Sequence, residues 1–387
     1  MYNIRTFNKI SPNGLEQFDK KKYVIGDDIE NADGALVRSA SLHEMEFPAD
    51  LKAIARAGAG TNNIPIERCS DAGIVVFNTP GANANAVKEL VLAGLFISSR
   101  RVIPGIEWAK TLKGNCEDVG KAVEKGKSAF VGPEIKGKKL GIIGLGAIGV
   151  LVANAASHLG MQVYGYDPYL SLTAAWNLTH NAHRAMDIKE IFENCDYITI
   201  HVPMTAETKN LINAETIATM KDSVRILNFA RGGLVNSADI LQALESGKVA
   251  SYVTDFPDEE LLGADGVIAI PHLGASTPES EDNCAEMASN ALIDYLENGN
   301  ITNSVNLPNI SMPRSGEKRI CVIHKNIPNM LTSITSVMAK DNINIENLLN
   351  KSRGDYAYTL LDIDGGEAVD IMQDISAIDG IIRVRII

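Results

Sequence analysis

The chain lacks the features that would place it in a membrane, around a metal or on a nucleic acid. Its longest apolar run, near residues 90–97, falls well short of the ~20 residues that a spanning helix needs. The opening residues MYNIRTFNKI contain no apolar signal segment. The five cysteines, Cys69, Cys116, Cys195, Cys284 and Cys321, are widely spaced and include no C-x-x-C pair, so neither a metal site nor a disulfide framework is expected. Positive charge is also short, with 36 Lys and Arg against 48 Asp and Glu, and the resulting net charge of −12 argues against nonspecific binding to nucleic acid or to an anionic membrane surface. Repeats and low-complexity segments are missing too. A soluble, cytoplasmic protein in a reducing compartment is expected, and an anionic substrate is still allowed, because local basic groups decide that.

What is present is core-forming sequence. A length of 387 residues with 45% hydrophobic and 22% charged content suits two or three domains, each able to bury its own core. The organising stretch is 138–167. Leu140, Ile142 and Ile143 form an apolar run with no polar alternation, as in a parallel strand buried on both faces. Gly144-Leu145-Gly146-Ala147-Ile148-Gly149 follows directly and opens a helical pattern. The first glycine permits a tight turn, the second leaves the backbone bare for a pyrophosphate, and the third lets helix and strand pack closely. The helix N-terminus then faces the phosphates. A second apolar strand ends at Asp167, about twenty residues after the glycine loop, where a carboxylate accepts hydrogen bonds from an adenosine ribose. A carboxylate there repels the 2′-phosphate of NADP, so the expected cofactor is NAD.

Before this stretch, residues 1–95 alternate short apolar runs with helical patterns, including Ala35-Leu36-Val37, Leu51-Lys52-Ala53-Ile54-Ala55 and Ile74-Val75-Val76-Phe77. Read as parallel strands, they end beside polar or glycine-rich loops, where open α/β sheets bind ligands. Arg38 and Arg56 are therefore candidate anion contacts, the alternative being arginines that only bridge surface carboxylates. A helical pattern at 84–100 and a lysine-rich segment at 108–127 lead into the cofactor domain. Further apolar strands are expected at 195–201, 225–230, 249–255 and 267–270, which makes a doubly wound parallel sheet. A helix over 278–298 returns to the first domain. Proline, serine, glycine and charge then mark a linker at 307–317. Residues 318–387 read strand, helix, strand, strand, helix, strand, the ferredoxin-like order.

Three loops at predicted strand ends carry chemistry: Ala230-Arg231-Gly232-Gly233, Asp255-Phe256-Pro257-Asp258-Glu259-Glu260, and Pro271-His272-Leu273-Gly274-Ala275-Ser276-Thr277. An arginine, a carboxylate and a histidine at one edge of a cofactor-binding sheet suit hydride transfer from an alcohol. The arginine grips a substrate carboxylate, the histidine takes the hydroxyl proton, and the carboxylate orients the imidazole and raises its pKa.

The glycine loop, the Ala230 to Gly233 segment and the Pro271 to Thr277 segment, in this order and spacing, resemble the D-isomer-specific 2-hydroxyacid dehydrogenases over nearly the whole chain. The resemblance implies two Rossmann-like domains, the first split and completed by about 280–306, the second spanning 96–279. It makes Arg231, Glu260 and His272 catalytic. Cofactor positions are Gly144, Gly146, Ala147, Ile148, Gly149, Asp167, Val202, Ala230, Asp255, Gly274 and Ala275, and substrate-side positions are Arg38, Ser39, Arg56, Gly58, Asn83 and Lys127. Phe256 follows Asp255 with no intervening residue, so its register favours Glu259 while the spacing from Asp255 favours Glu260; Glu260 is preferred. Ala40 and Lys127 stand where some members carry arginines, and lysine keeps the charge without the planar fork.

The C-terminal stretch resembles an ACT domain, an amino-acid-sensing fold, in which His324, Asn326 and Asn344 match the residues that hold L-serine. Asn329 replaces a glycine of that loop. The members with these loops and this module oxidise 3-phospho-D-glycerate with NAD, the first step of L-serine biosynthesis, as homodimers or homotetramers. Oxidation or reduction of an unphosphorylated acid such as hydroxypyruvate or glyoxylate is the alternative in the same class, and an NAD-sensing corepressor or scaffold is the alternative in another. A module that only joins subunits is the alternative to a serine sensor.

Overall fold

The structure, a computed structural model, describes residues 1–365 and 368–387. The chain divides into two compact units, Met1–Ala82 with Pro278–Ile387, and Asn83–Thr277.

The first unit opens with β1 (Tyr2–Phe7), α1 (Pro12–Leu15), β2 (Tyr23–Gly26), β3 (Gly34–Val37), β4 (Ala53–Arg56), α2 (Ile66–Asp71) and β5 (Val75–Phe77). The strands form a parallel sheet in the order β2-β1-β3-β4-β5. Side chains alternate across a strand, so Leu36, Ala53, Ala55, Val75 and Phe77 enter one core while Ala35, Val37, Ile54 and Val76 enter another on the opposite face. Burial on both faces explains why β3 and β4 read as unbroken apolar runs.

The second unit contains α3 (Ala84–Ser99), α4 (Val102–Thr111), α5 (Val119–Gly126), a 3-10 turn (Lys127–Phe130), β6 (Lys139–Ile143), α6 (Ala147–His158), β7 (Gln162–Tyr166), α7 (Leu172–Asn177), β8 (His183–Arg184), α8 (Ile188–Asn194), β9 (Tyr197–Ile200), α9 (Ala214–Thr219), β10 (Val224–Asn228), α10 (Ser237–Glu245), β11 (Val249–Thr254) and β12 (Val267–Ala269). Its sheet, β12-β11-β10-β9-β6-β7-β8, is parallel throughout. Strand order reverses between β6 and β9, the crevice where doubly wound sheets bind ligands.

Helix α3 belongs to this second unit, so the boundary falls after Ala82 and not near residue 95. The reason is packing. Val87, Val91 and Leu95 enter the second unit's core, and a Cβ on Gly94 would come within 2.9 Å of Leu227 and 3.0 Å of Phe229. Asn83 therefore starts the second unit.

The first unit resumes with α11 (Pro278–Asn298), whose Ala285, Ala288, Leu292, Tyr295 and Leu296 cover the sheet face formed by Leu36, Ala53 and Phe77. Helix α11 thus belongs to the first unit. The 307–317 segment has neither helix nor strand, but it is no free linker, because Leu307, Ile310 and Met312 are buried in the same core. Polar composition around three apolar anchors conceals that docking.

The C-terminal module follows with β13 (Lys318–Lys325), α12 (Met330–Lys340), β14 (Asn344–Arg353), β15 (Tyr356–Asp364), α13 (Ala368–Ser376) and β16 (Ile381–Ile386). Its antiparallel sheet runs β14-β15-β13-β16, the ferredoxin-like arrangement read from the sequence. Ile320, Val322, Leu361 and Ile363 face Ile334 and Met338 of α12 and Ile371 and Ile375 of α13.

Arg319 and Asp362 form a fully buried ion pair, with Nε at 2.6 Å and Nη2 at 2.8 Å from the two carboxylate oxygens. Burial alone would raise the Asp362 carboxyl, but Arg319 and the Ser315 N–H hold it below its ordinary value. Its stabilising contribution is complete above the unfolded aspartate pKa and is lost as pH falls through the lowered folded value. Arg319→Met should cost about 3–5 kcal/mol in chemical denaturation, because the charge of Asp362 would stay buried without a partner, whereas Arg319→Met with Asp362→Leu should recover most of that loss. A single variant as stable as the parent would contradict this account of the pair.

Candidate active site

In the second unit the site starts where β6 meets α6. Gly144 has φ +95°, and a Cβ there would lie 2.6 Å from the His201 carbonyl oxygen. Gly149 is closed in a similar way, since its Cβ would come within 2.0 Å of the Gly144 oxygen. Gly146 is the contrast: nothing lies within 4 Å of a Cβ built on it. It is the N-cap of α6 and provides no side-chain cap, so the first N–H groups of the helix are left for an anion. Asp167, at the end of β7, accepts hydrogen bonds from the N–H groups of Leu145 and Tyr169, both at 2.8 Å. Its carboxylate is thereby fixed beside the glycine turn. An open glycine at a helix N-terminus beside an anchored acid fits a dinucleotide with a free ribose.

The ends of β9, β10, β11 and β12 carry the other groups. After β9, His201 shares a hydrogen bond with Thr199 at 3.0 Å, and burial lowers its pKa to about 4. Val202 is partly buried beside it, touching the space over Gly144. Asn228 closes the turn after β10, donating from its amide to the Arg231 carbonyl at 2.9 Å and accepting from the Ala230 N–H at 3.1 Å. Arg231 is exposed, with Nη1 donating to the Ala230 carbonyl. After β11, Asp255 is 2% exposed, and neither of its carboxyl oxygens has a hydrogen-bond partner among the described residues. Burial raises its pKa, opposed by the charges of His272 and Arg231. The His272 ring lies 4.5 Å from that of Phe256. Gly274 packs so closely that its Cβ would stand 3.2 Å from Val87 and 3.7 Å from Asp255 Oδ2, and Ala275 follows it, partly buried.

Arg231, Asp255 and His272 thus share one edge of the sheet. Glu260 does not join them. Glu259 and Glu260 both lie on an exposed turn, and neither makes a hydrogen bond or ion pair among the described residues. The inward group of this turn is Leu261, and Asp258 ties it down through Ser237 and the Leu261 N–H. The carboxylate whose charge His272 meets is that of Asp255.

In the first unit, Arg38 donates to Glu281 of α11 at 2.5 Å, so the expected anion contact already has a carboxylate partner. Arg56 donates through Nε to the Arg38 carbonyl at 3.0 Å. Its Nη1 would lie 2.6 Å from a Cβ on Gly58, which makes that glycine the slot for the guanidinium. The N–H groups of Ser39 and Ala40 both donate to Asn8 Oδ1. In the second unit Asn83 precedes α3 without capping it, and exposed Lys127 pairs with Glu124. Asn8, Asn228 and Glu281 were not singled out from the sequence. Only Asn228, a polar residue ending an apolar strand just before Arg231, left a signal.

The module departs from expectation at His324. The residue is 2% exposed, and its two ring nitrogens are engaged by the Lys325 carbonyl at 2.8 Å and Thr359 Oγ1 at 2.9 Å. It presents no free nitrogen to a ligand. Asn326 donates to the Gly354 carbonyl, and Asn344 donates to Glu346. Within one module Asn344 pairs with Asp364 while His324 pairs with Ala357, so they occupy opposite ends of the sheet.

These features define an NAD-dependent oxidoreductase built on a doubly wound sheet. Residues 97–274 match the D-isomer specific 2-hydroxyacid dehydrogenase, NAD binding domain. A D-3-phosphoglycerate dehydrogenase of Haemophilus influenzae is 33% identical over 95% of this chain and 90% of its own length. One from Escherichia coli K12 is 33% identical over 85% of this chain and 79% of its own. Among solved structures, the NAD+-bound 3-phosphoglycerate dehydrogenase of Entamoeba histolytica is similar with a TM-score of 0.59 and 28% identity, covering 79% of this chain and 98% of that one. The chain belongs to the D-isomer specific 2-hydroxyacid dehydrogenase family.

A buried acid with a raised pKa disfavours its own charged form, so its folded-state cost sets in as pH rises from the unfolded aspartate value through the raised one, and it is present at neutral pH. Asp255→Asn should therefore raise the unfolding midpoint by roughly 2–4 °C in calorimetry at neutral pH while slowing single-turnover hydride transfer. A lower midpoint would show that Asp255 has a partner the geometry does not reveal.

Proposed function

We propose that this protein oxidises 3-phospho-D-glycerate to 3-phosphohydroxypyruvate in the cytoplasm, the reaction that opens L-serine biosynthesis. The observation that carries the reading is the gathering of Arg231, Asp255 and His272 at the sheet edge that holds the glycine turn. NAD, when bound, supplies the hydride acceptor. Arg231 holds the substrate carboxylate through its planar fork. His272 takes the hydroxyl proton as hydride leaves the same carbon. The charges of Arg231 and His272 favour ionised Asp255 against the cost of its burial. Glu260, which the family resemblance makes catalytic, would have to swing inward from its exposed turn to reach the imidazole. Asp167 selects NAD over NADP. Arg38, Ser39, Arg56 and Gly58 of the first unit and Asn83 and Lys127 of the second are assigned to substrate binding.

The partner is a second copy of the chain. Helices α4 and α5 bury none of their residues and expose Val102, Ile103, Ile106, Val119 and Val123, apolar surface that suits a homodimer formed through the cofactor unit.

Steady-state rates for phosphorylated and unphosphorylated 2-hydroxy acids with NAD and NADP test the activity. 3-Phospho-D-glycerate with NAD should have the highest kcat/KM, and a stronger preference for an unphosphorylated acid contradicts the assignment. His272→Ala should lower single-turnover chemistry by at least ~10²-fold with NAD affinity nearly unchanged. Near-parental turnover in that variant would remove His272 from the mechanism.

Serine sensing by the C-terminal module rests on the match of His324, Asn326 and Asn344. It requires His324 to exchange Thr359 for the ligand and Asn344 to come from a neighbouring module. Titration calorimetry of L-serine into the intact protein should then show millimolar binding that Asn344→Ala abolishes. The absence of heat would leave the module without this role.

A further inference from the structure

The second face of the C-terminal sheet, the one turned away from α12 and α13, is covered by the rest of the first unit. Cys321, Ile323, Tyr358 and Leu360 lie in one core with Tyr295, Leu296, Ile301 and Ile310. Two glycines are shaped to this contact. A Cβ on Gly299 would lie 2.6 Å from Cys321 Sγ, and one on Gly73 would lie 2.9 Å from Arg383 Cβ.

The polar contacts converge on the C-terminal end of α11, where the last carbonyls of any helix lack partners and carry partial negative charge. Arg385 is buried over the Tyr295 ring at 4.0 Å and donates to the carbonyls of Tyr295 and Leu296. Arg319, already paired with Asp362, donates to the Asn298 carbonyl at 2.8 Å. Tyr358 donates to the Gly299 carbonyl at 2.8 Å. A second anchor lies beside β4 and α2, where Arg383 donates to the carbonyls of Leu51 and Ala72 and Tyr356 donates to Asp71 at 2.6 Å.

We propose that the C-terminal module is a fixed cap of the first unit, with Arg385 and Arg319 terminating α11 and the sheet face turned away from α12 and α13 completing the core that α11 shares with β3, β4 and β5. A detachable sensor would keep its sheet face polar or cover it within its own fold. Here the centre of that face, Cys321, Ile323, Tyr358 and Leu360, is buried in the first unit's core, its arginines bond that unit's carbonyls, and the glycines opposite are shaped to receive it. The other end of α11 carries Glu281, the partner of Arg38.

Native-state hydrogen exchange on the intact protein at rising denaturant tests the proposal. The amides of β13 and β15 should open together with those of α11 and β4, at one common free energy. An Arg385→Met variant should lower the midpoint of that shared transition by roughly 5 °C and speed exchange in the last turn of α11 at least ~10-fold. If the module opens at lower denaturant while α11 and β4 keep their protection, the module is a detachable domain and the proposal is wrong. The parent protein alone decides this, should Arg385→Met fail to fold.

Discussion

The seating of α6 on β6 is the contact on which the cofactor unit depends. At residue 149 there is no room for a side chain, because a Cβ would sit 2.0 Å from the Gly144 oxygen. Glycine there brings the helix down onto the strand, which leaves its first turn open at Gly146 and sets the Leu145 N–H to donate to Asp167. The same turn lies under the His201 carbonyl, so β9 is registered against it as well. A single backbone approach thus fixes the open helix N-terminus, the Asp167 carboxylate and the neighbouring strand end.

Electrostatics at the other strand ends work against stability. Asp255 keeps a carboxylate in a buried place without a hydrogen-bond partner, with the charges of Arg231 and His272 to offset that cost. Buried acids whose cost is only partly offset in this way cluster at functional sites. Arg319 with Asp362 is the counterexample within the same chain. There a buried charge has a bidentate partner and further hydrogen bonds, and its role is structural.

Much of this was legible in the sequence, for reasons that also explain what was not. Parallel strands buried on both faces announce themselves as apolar runs, and so β3, β6 and β9 were readable. β1 was not, because Ile4 is its only buried residue and Tyr2, Asn3, Arg5 and Thr6 hide it. The unit boundary is not legible because the pattern of α3 shows an apolar stripe but not which sheet it packs on. The steric need for glycine at 144 and 149 follows from backbone geometry and was readable at each position. By contrast, His324 matched a ligand position by sequence yet has both ring nitrogens engaged internally by Lys325 and Thr359, a tertiary fact that no spacing encodes. The choice between Glu259 and Glu260 was likewise a question of turn geometry, and the turn directs both outward.

The central claim is that this edge of the sheet moves a hydride from the substrate carbon to the cofactor while a side chain takes the proton. Turnover of 3-phospho-D-glycerate carrying deuterium at the hydroxyl-bearing carbon, followed by mass analysis of the reduced cofactor, tests it most directly. The account predicts one deuterium in the nicotinamide of every reduced cofactor and none released to water. Label appearing in solvent, or a cofactor that stays unreduced while label is lost, would contradict it.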